Sequence, residues 1–221
     1  MRVGVLHTVP GLAVVFHDLL RSRLPDLDIV HVVDPALLAD TVAAGEVTDP
    51  VRAGVAGHLE ALTRAGAQAV LVTCSSIGEA AEDAAASAGI RLTRVDAAMA
   101  HLAVTRAQAA GTAHGRPGRI AVLATLSATL GPTRRIVERF APETGAVTVT
   151  ASVVAGAADA RTAGDAAGHD ALIAAALRAT DADVIVLAQA SMAPAAGDDP
   201  RVLTSPASGA TAFLDELGTT P

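Results

Sequence analysis

Residues 2–8 read Arg-Val-Gly-Val-Leu-His-Thr, and residues 119–125 read Arg-Ile-Ala-Val-Leu-Ala-Thr. Each is a short apolar run that begins on arginine and ends on threonine, the pattern of a buried strand leading into a polar turn. Outward from the first copy, the apolar runs DIVHVV (28–33), AVLVTC (69–74) and RLTRVD (91–96) alternate with stretches of helical period, GLAVVFHDLLRSRL (11–24) and VRAGVAGHLEALTRAG (51–66). Outward from the second, VTVTASVV (147–154), ADVIVLAQ (182–189) and RVLTS (201–205) are separated by LGPTRRIVERFAPETG (130–145) and GHDALIAAALRATD (168–181). Strand and helix signals in alternation predict an α/β fold with mainly parallel strands.

The two series agree in order and in their endings. In this reading Gly57-His58 opens a helix before AVLVTCSS and matches Gly168-His169 before DVIVLAQAS. The expectation is therefore one unit written twice: two pseudo-symmetric half-domains, each a mainly parallel sheet flanked by helices, with an active site in the cleft between them. The first half-domain is assigned residues 1–100 and the second residues 101–206. Residues 99–111 read as a connecting helix, followed by the turn-rich break AHGRPG (113–118). The tail from about residue 207 to 221 forms an amphipathic helix expected to pack back on the first half.

Composition narrows the function. Hydrophobic residues make up 51% of the 221, so a folded globular chain is expected. No apolar run reaches the roughly 20 residues that span a bilayer, and the N-terminus lacks the basic region of a targeting signal. A cytoplasmic protein with no membrane role follows. The net charge is −7, the arginines form no stripe, and there is no Trp or Tyr and only three Phe. That combination argues against nucleic-acid binding. Every one of the 16 basic residues is arginine, which removes a lysine Schiff base and a phosphate-loop lysine. No GxGxxG follows a strand, so dinucleotide binding is disfavoured. The seven histidines show no metal-ligand spacing, and most are expected at the surface or at helix ends. No metal or cofactor is predicted.

In parallel sheets, ligands bind beyond the carboxyl ends of the strands. The residues there are His7, Thr8, Asp34, Cys74, Ser75 and Ser76 in the first copy, and Thr125, Ser127, Gln189, Ala190 and Ser191 in the second. Cys74 is the single cysteine; it ends a strand among hydroxyl residues and precedes a helical pattern. A thiol in that place meets backbone N–H groups that favour thiolate over thiol, and the same groups suit a carboxylate or enolate oxygen. Proton abstraction beside a carboxylate and covalent addition to an activated double bond both fit. His7 is a candidate to face the cleft. Asp34-Pro35 suits either a substrate hydrogen bond or a helix N-cap.

The stretch Thr73-Cys74-Ser75-Ser76 between strand and helix resembles the first catalytic loop of the aspartate/glutamate racemase superfamily, which includes hydantoin racemases, maleate isomerases and arylmalonate decarboxylases. The stretch Val186-Leu-Ala-Gln-Ala-Ser-Met192 falls where that superfamily has its second cysteine loop, and Thr125 matches a recurring substrate-binding position. The resemblance spans nearly the whole chain. It implies a cofactor-independent enzyme, usually a homodimer, acting on a small carboxylate or its amide or imide analogue. It further implies Cys74 as acid/base, with Thr8, Ser75, Ser76, Thr125 and Ser191 lining the carboxylate pockets. Gln189 departs from the pattern, because an amide neither accepts nor delivers a proton at neutral pH. Cys74 then acts on one face only, as in a decarboxylase or a stereospecific isomerase. Alternatively it attacks the substrate covalently while Gln189 donates hydrogen bonds, or His7 or a hydroxyl supplies the second base. A non-catalytic two-lobed binder of small acids is the remaining alternative.

Overall fold

Strand β1 (Arg2–His7) lies inside the first sheet, buried from Val3 to His7, and the rest of that unit is arranged around it. The computed structural model describes residues 1–218. Helix α1 (Leu12–Arg23) leads to β2 (Asp28–Val33), then α2 (Pro35–Ala44) and α3 (Asp49–Arg64). Strand β3 (Val70–Val72) runs into a 3-10 turn (Ser75–Ile77) that continues as α4 (Gly78–Ala88), and β4 (Leu92–Arg94) closes the series. The strand order is β2-β1-β3-β4, with every pairing parallel. Leu6, Val55, Leu59, Val72 and Ile77 form the core of one face. Fully buried strands such as β3 need no polar alternation, which is why AVLVTC reads as a continuous apolar run.

The second unit repeats the arrangement. Helix α5 (Ala97–His114) precedes β5 (Gly118–Ala124), followed by α6 (Ser127–Phe140), β6 (Val147–Val153), α7 (Ala157–Thr162) and α8 (Ala166–Ala179). Strand β7 (Val184–Leu187), a second 3-10 segment (Ala190–Ala196) and β8 (Val202–Leu203) complete it, in the order β6-β5-β7-β8, again all parallel. Where α5 meets β5, backbone touches backbone: a Cβ on Gly118 would stand 1.9 Å from the Ala107 carbonyl oxygen. Gly111 in α5, where a Cβ would stand 2.5 Å from the Gly118 nitrogen, and Gly118 at the end of the break are therefore packing requirements.

Helix α9 (Ser205–Gly218) ends the described chain, and from Pro206 onward it belongs to the first unit, with residues 1–97. Residues 98–205 make the second unit. Thr93 on β4 donates a hydrogen bond to Glu216, and Phe213 is fully buried. Residues 219–221 of the expected tail helix lie outside the described residues.

One sequence expectation is corrected here. His58 does not open a helix: α3 starts at Asp49, with Pro50 in its first turn, and His58 lies in the body of the helix. His169, by contrast, sits in the first turn of α8, so the two histidines are not equivalent.

Candidate functional site

Register places the candidate residues. In the first unit Leu6 pairs with Val72, so Thr8 and Cys74 each stand two residues beyond the same rung, at neighbouring strand ends. In the second unit Leu123 pairs with Leu187, and Thr125 and Gln189 stand two residues beyond that rung. Cys74 (φ −120°, ψ 114°) and Gln189 (φ −119°, ψ 134°) share an extended backbone, and each immediately precedes a 3-10 segment. Cys74 and Gln189 thus hold the same position in their two units.

Their side chains are used differently. The Gln189 carboxamide oxygen accepts two hydrogen bonds from Thr125, one from its backbone N–H (2.6 Å) and one from its hydroxyl (3.0 Å). With the oxygen held, the amide can be oriented one way only, and its NH₂ group is turned away from Thr125 as a donor. In the first unit, Cys74 is half-buried and packs on the Leu6–Val72–Ile77 core. Beside it, the Thr8 hydroxyl is buried and has no hydrogen-bond partner among the described residues. A buried polar atom left in that state costs about 1–3 kcal/mol unless something satisfies it. The Thr8 hydroxyl is therefore unspent hydrogen-bonding capacity next to the thiol.

His7 lies at the end of β1. Its ring is fully buried and both nitrogens are engaged within the first unit. Nδ1 lies 2.9 Å from the Thr73 hydroxyl, and Nε2 lies 3.0 Å from Nδ1 of His31 on β2; Nε2 of His31 in turn lies 3.2 Å from Nδ1 of His17 on α1. The Thr73 hydroxyl donates to the Leu6 carbonyl (3.2 Å), which can only accept. The proton order follows: His7 donates from Nδ1 to Thr73, His31 donates from Nδ1 to His7, and His17 donates from Nδ1 to His31. Three imidazoles thus form one directed chain from the exposed His17 to a buried strand end. Burial, and then the neighbouring His31, push the His7 pKa down to about 4; burial and His17 lower that of His31. His7 is therefore held neutral, with both ring nitrogens engaged inside the first unit. His31 and His17 were not anticipated, although histidines at positions 7 and 31 on adjacent strands were a visible hint.

Asp34 resolves to its N-cap reading. One carboxylate oxygen accepts from the Ala36 N–H (3.0 Å) at the start of α2, where Pro35 occupies the first turn, and the other takes Nε2 of His58 (2.7 Å). The His58 hydrogen bond, opposed in part by burial, holds its carboxyl below the usual range. Ser75 and Ser76 are buried in the turn after Cys74, and Ala190 is buried after Gln189. Ser191 is half-buried, and Ser127, the first residue of α6, is exposed. Among the described residues no group of three His, Cys, Asp or Glu side chains converges as a metal site would need, and no helix is long and apolar enough to cross a membrane.

Doubled parallel sheets of this order, with strand-end Cys74 and Gln189, define a racemase-type two-unit α/β fold. A family model for Asp/Glu/Hydantoin racemase matches residues 14–212, and the chain belongs to that family. Similar solved structures include a glutamate racemase from Bacillus anthracis, 18% identical, with a TM-score of 0.71 over 98% of this chain and 81% of that one. An aspartate racemase from Picrophilus torridus is 14% identical, with a TM-score of 0.68 over 98% and 94% of the respective chains. An allantoin racemase from Klebsiella pneumoniae is 16% identical, with a TM-score of 0.60 over 99% and 89%. No curated protein sequence matches the chain significantly. Family membership supports an isomerase activity of the racemase type; these matches lend nothing to the decarboxylase alternative.

Proposed function

We propose that the protein is a cofactor-independent isomerase that acts beside the carboxylate, amide or imide of a small substrate through one thiolate, that of Cys74. The observation that carries this reading is the fixed orientation of Gln189, whose oxygen is occupied by Thr125. Its NH₂ group can donate hydrogen bonds to a carboxylate or enolate oxygen but cannot exchange a proton. In the reaction, the Cys74 thiolate takes the proton next to the carbonyl group, leaving an enolate and a neutral thiol. The enolate charge is held by hydrogen-bond donors, including the Gln189 amide; the planar enolate turns its other face to Cys74, and the thiol returns the proton there, which inverts the carbon. Thr8, with its unpartnered hydroxyl beside Cys74, and Thr125, Ser75, Ser76 and Ser191 form the rest of the substrate-binding set. The same reading includes a homodimer, which light scattering during size-exclusion chromatography checks.

One second reading draws on the same observation. With no proton donor at Gln189, Cys74 can add to an activated carbon–carbon double bond, permit rotation about the resulting single bond and leave again, giving cis–trans isomerisation. A panel of small chiral acids, their amides and cyclic imides, together with unsaturated diacids, incubated in D₂O separates the two. Deuterium appearing at the carbon next to the carboxyl or carbonyl group, lost in Cys74→Ser, supports proton transfer. Isomerised alkene without deuterium supports addition. A ligand bound equally well by both proteins, with no thiol-dependent turnover, leaves a binding protein.

A further inference from the structure

Arg94 ends β4, and its side chain is almost wholly buried, at 3% exposure for the residue. Nε and Nη2 donate to the two oxygens of Asp96 (2.9 and 2.8 Å), a residue with no exposed surface, and Nη1 donates to Glu82 on α4 (3.0 Å). Burial opposes the charge on this guanidinium, but the charges and hydrogen bonds of Asp96 and Glu82 outweigh it, and Arg94 is held as a cation. Its guanidinium lies against Gly78, the first residue of α4. A Cβ on Gly78 would come within 2.6 Å of both Cζ and Nε.

Gly78 is joined to Cys74 by the three residues of the 3-10 turn, so whatever holds Gly78 also holds that turn. The second unit serves as an internal comparison. With Val72 equivalent to Leu187, the counterpart of Gly78 is Ala193 and the counterpart of Arg94 is Thr204. The buried cation and the glycine that admits it occur together in the unit that carries the cysteine, and both are replaced in the unit that carries Gln189. A buried ion pair is a poor source of stability, because desolvation offsets most of the attraction. Its presence in one unit of the two follows the thiol.

We propose that Arg94 is a positioning residue for Cys74: clamped by Asp96 and Glu82, its guanidinium fixes Gly78 and thereby the Ser75–Ile77 turn against which the thiol is set. The inference rests on the reading of Cys74 as the proton-transfer group. Loosening the clamp frees the turn to move relative to the sulfur, which changes the backbone surroundings in which the thiol reacts.

Because Cys74 is the only cysteine, iodoacetamide labelling followed by mass spectrometry reports on it alone. Rates are compared at about pH 7 and about pH 9.5, on either side of an ordinary thiol, for wild type, Arg94→Lys and Gly78→Ala. Arg94→Lys keeps the charge and loses the two-pronged grip. Gly78→Ala keeps the ion pair and displaces it from the turn. The ratio of neutral to alkaline rate should fall about three- to fivefold in both variants, the size expected when helix-end stabilisation of an anion is lost. A fold merely loosened exposes the thiol and raises both rates, leaving the ratio unchanged. An unchanged ratio in variants that still melt cooperatively overturns the proposal. Failure of the underlying reading shows elsewhere: deuterium exchange that survives Cys74→Ser removes Cys74 from the chemistry, whatever Arg94 does to the labelling ratio.

Discussion

The Thr125 backbone N–H and hydroxyl both donate to the side-chain oxygen of Gln189, at 2.6 and 3.0 Å, so one residue of a strand end determines which way its neighbour's amide faces. In the first unit the equivalent neighbours, Thr8 and Cys74, show no such bond, and the Thr8 hydroxyl has no partner among the described residues. The same backbone position therefore carries a thiol in one unit and an amide with its oxygen engaged in the other.

Replacing that donor changes what the enzyme can do with a proton. Gln189→Cys installs a second thiol at the position equivalent to Cys74, and starting from one enantiomer in D₂O deuterium should then appear first in the product enantiomer, where the one-thiol wild type labels the unconverted substrate as well. Thr125→Val removes one of the two bonds that orient the amide, at about 1 kcal/mol, and should weaken ligand binding roughly fivefold by calorimetric titration.

The histidine chain makes stability depend on pH. The folded-state pKa of His7, about 4, lies below its unfolded value near 6.5, so the unfolded chain binds the extra proton between these limits. Stability should be at its plateau above about pH 6.5, fall as pH drops through that window, and lose no more from His7 below about pH 4. A buried shift of this size corresponds to about 3 kcal/mol. Urea denaturation at several pH values should show the slope, and His7→Asn, which keeps a donor to Thr73 and does not titrate, should flatten it.

Asp34 is predicted to act as a cap rather than a substrate ligand. Asp34→Ala should cost about 1 kcal/mol of stability by chemical denaturation, the usual worth of an N-cap, and leave turnover per folded molecule unchanged. Its lowered pKa gives the same direction as His7: the contribution is complete above the ordinary carboxylate range and disappears as pH falls below it.

Two glycines separate close packing from mere tolerance. Gly118→Ala drives a methyl group into the Ala107 carbonyl and should destabilise by about 3 kcal/mol or more. Gly57→Ala, in the body of α3 with nothing within 4 Å of its new methyl, should instead stabilise by about 0.5–1 kcal/mol. Thermal melts of the two variants should move in opposite directions.

Much of this fold can be read along the chain because strand and helix signals are local. AVLVTC and ADVIVLAQ announce buried parallel strands, and the match of RVGVLHT to RIAVLAT already pairs Cys74 with Gln189. The start of α3 was also legible, since Asp49-Pro50 follows Thr48, but the Gly57-His58 match drew attention further along the helix. The histidine chain and the Arg94 clamp were not legible. Arg94 reads as one more charge near a strand end until Gly78 and Glu82 are seen on the helix above it.

The order of elements, the doubling of the unit and the position of the lone thiol belong to the primary structure, because each depends on periodicity within a few residues. The roles of the polar side chains do not. His7 finds Thr73 across 66 residues, Gln189 finds Thr125 across 64, and Asp34 finds His58 across 24. Parallel strands join residues distant in sequence, and a buried side chain must take its hydrogen bonds from whatever the neighbouring strand brings. Tertiary structure alone therefore decided that His7 is a neutral strut, that Asp34 is a cap, and that the Gln189 oxygen is taken by Thr125.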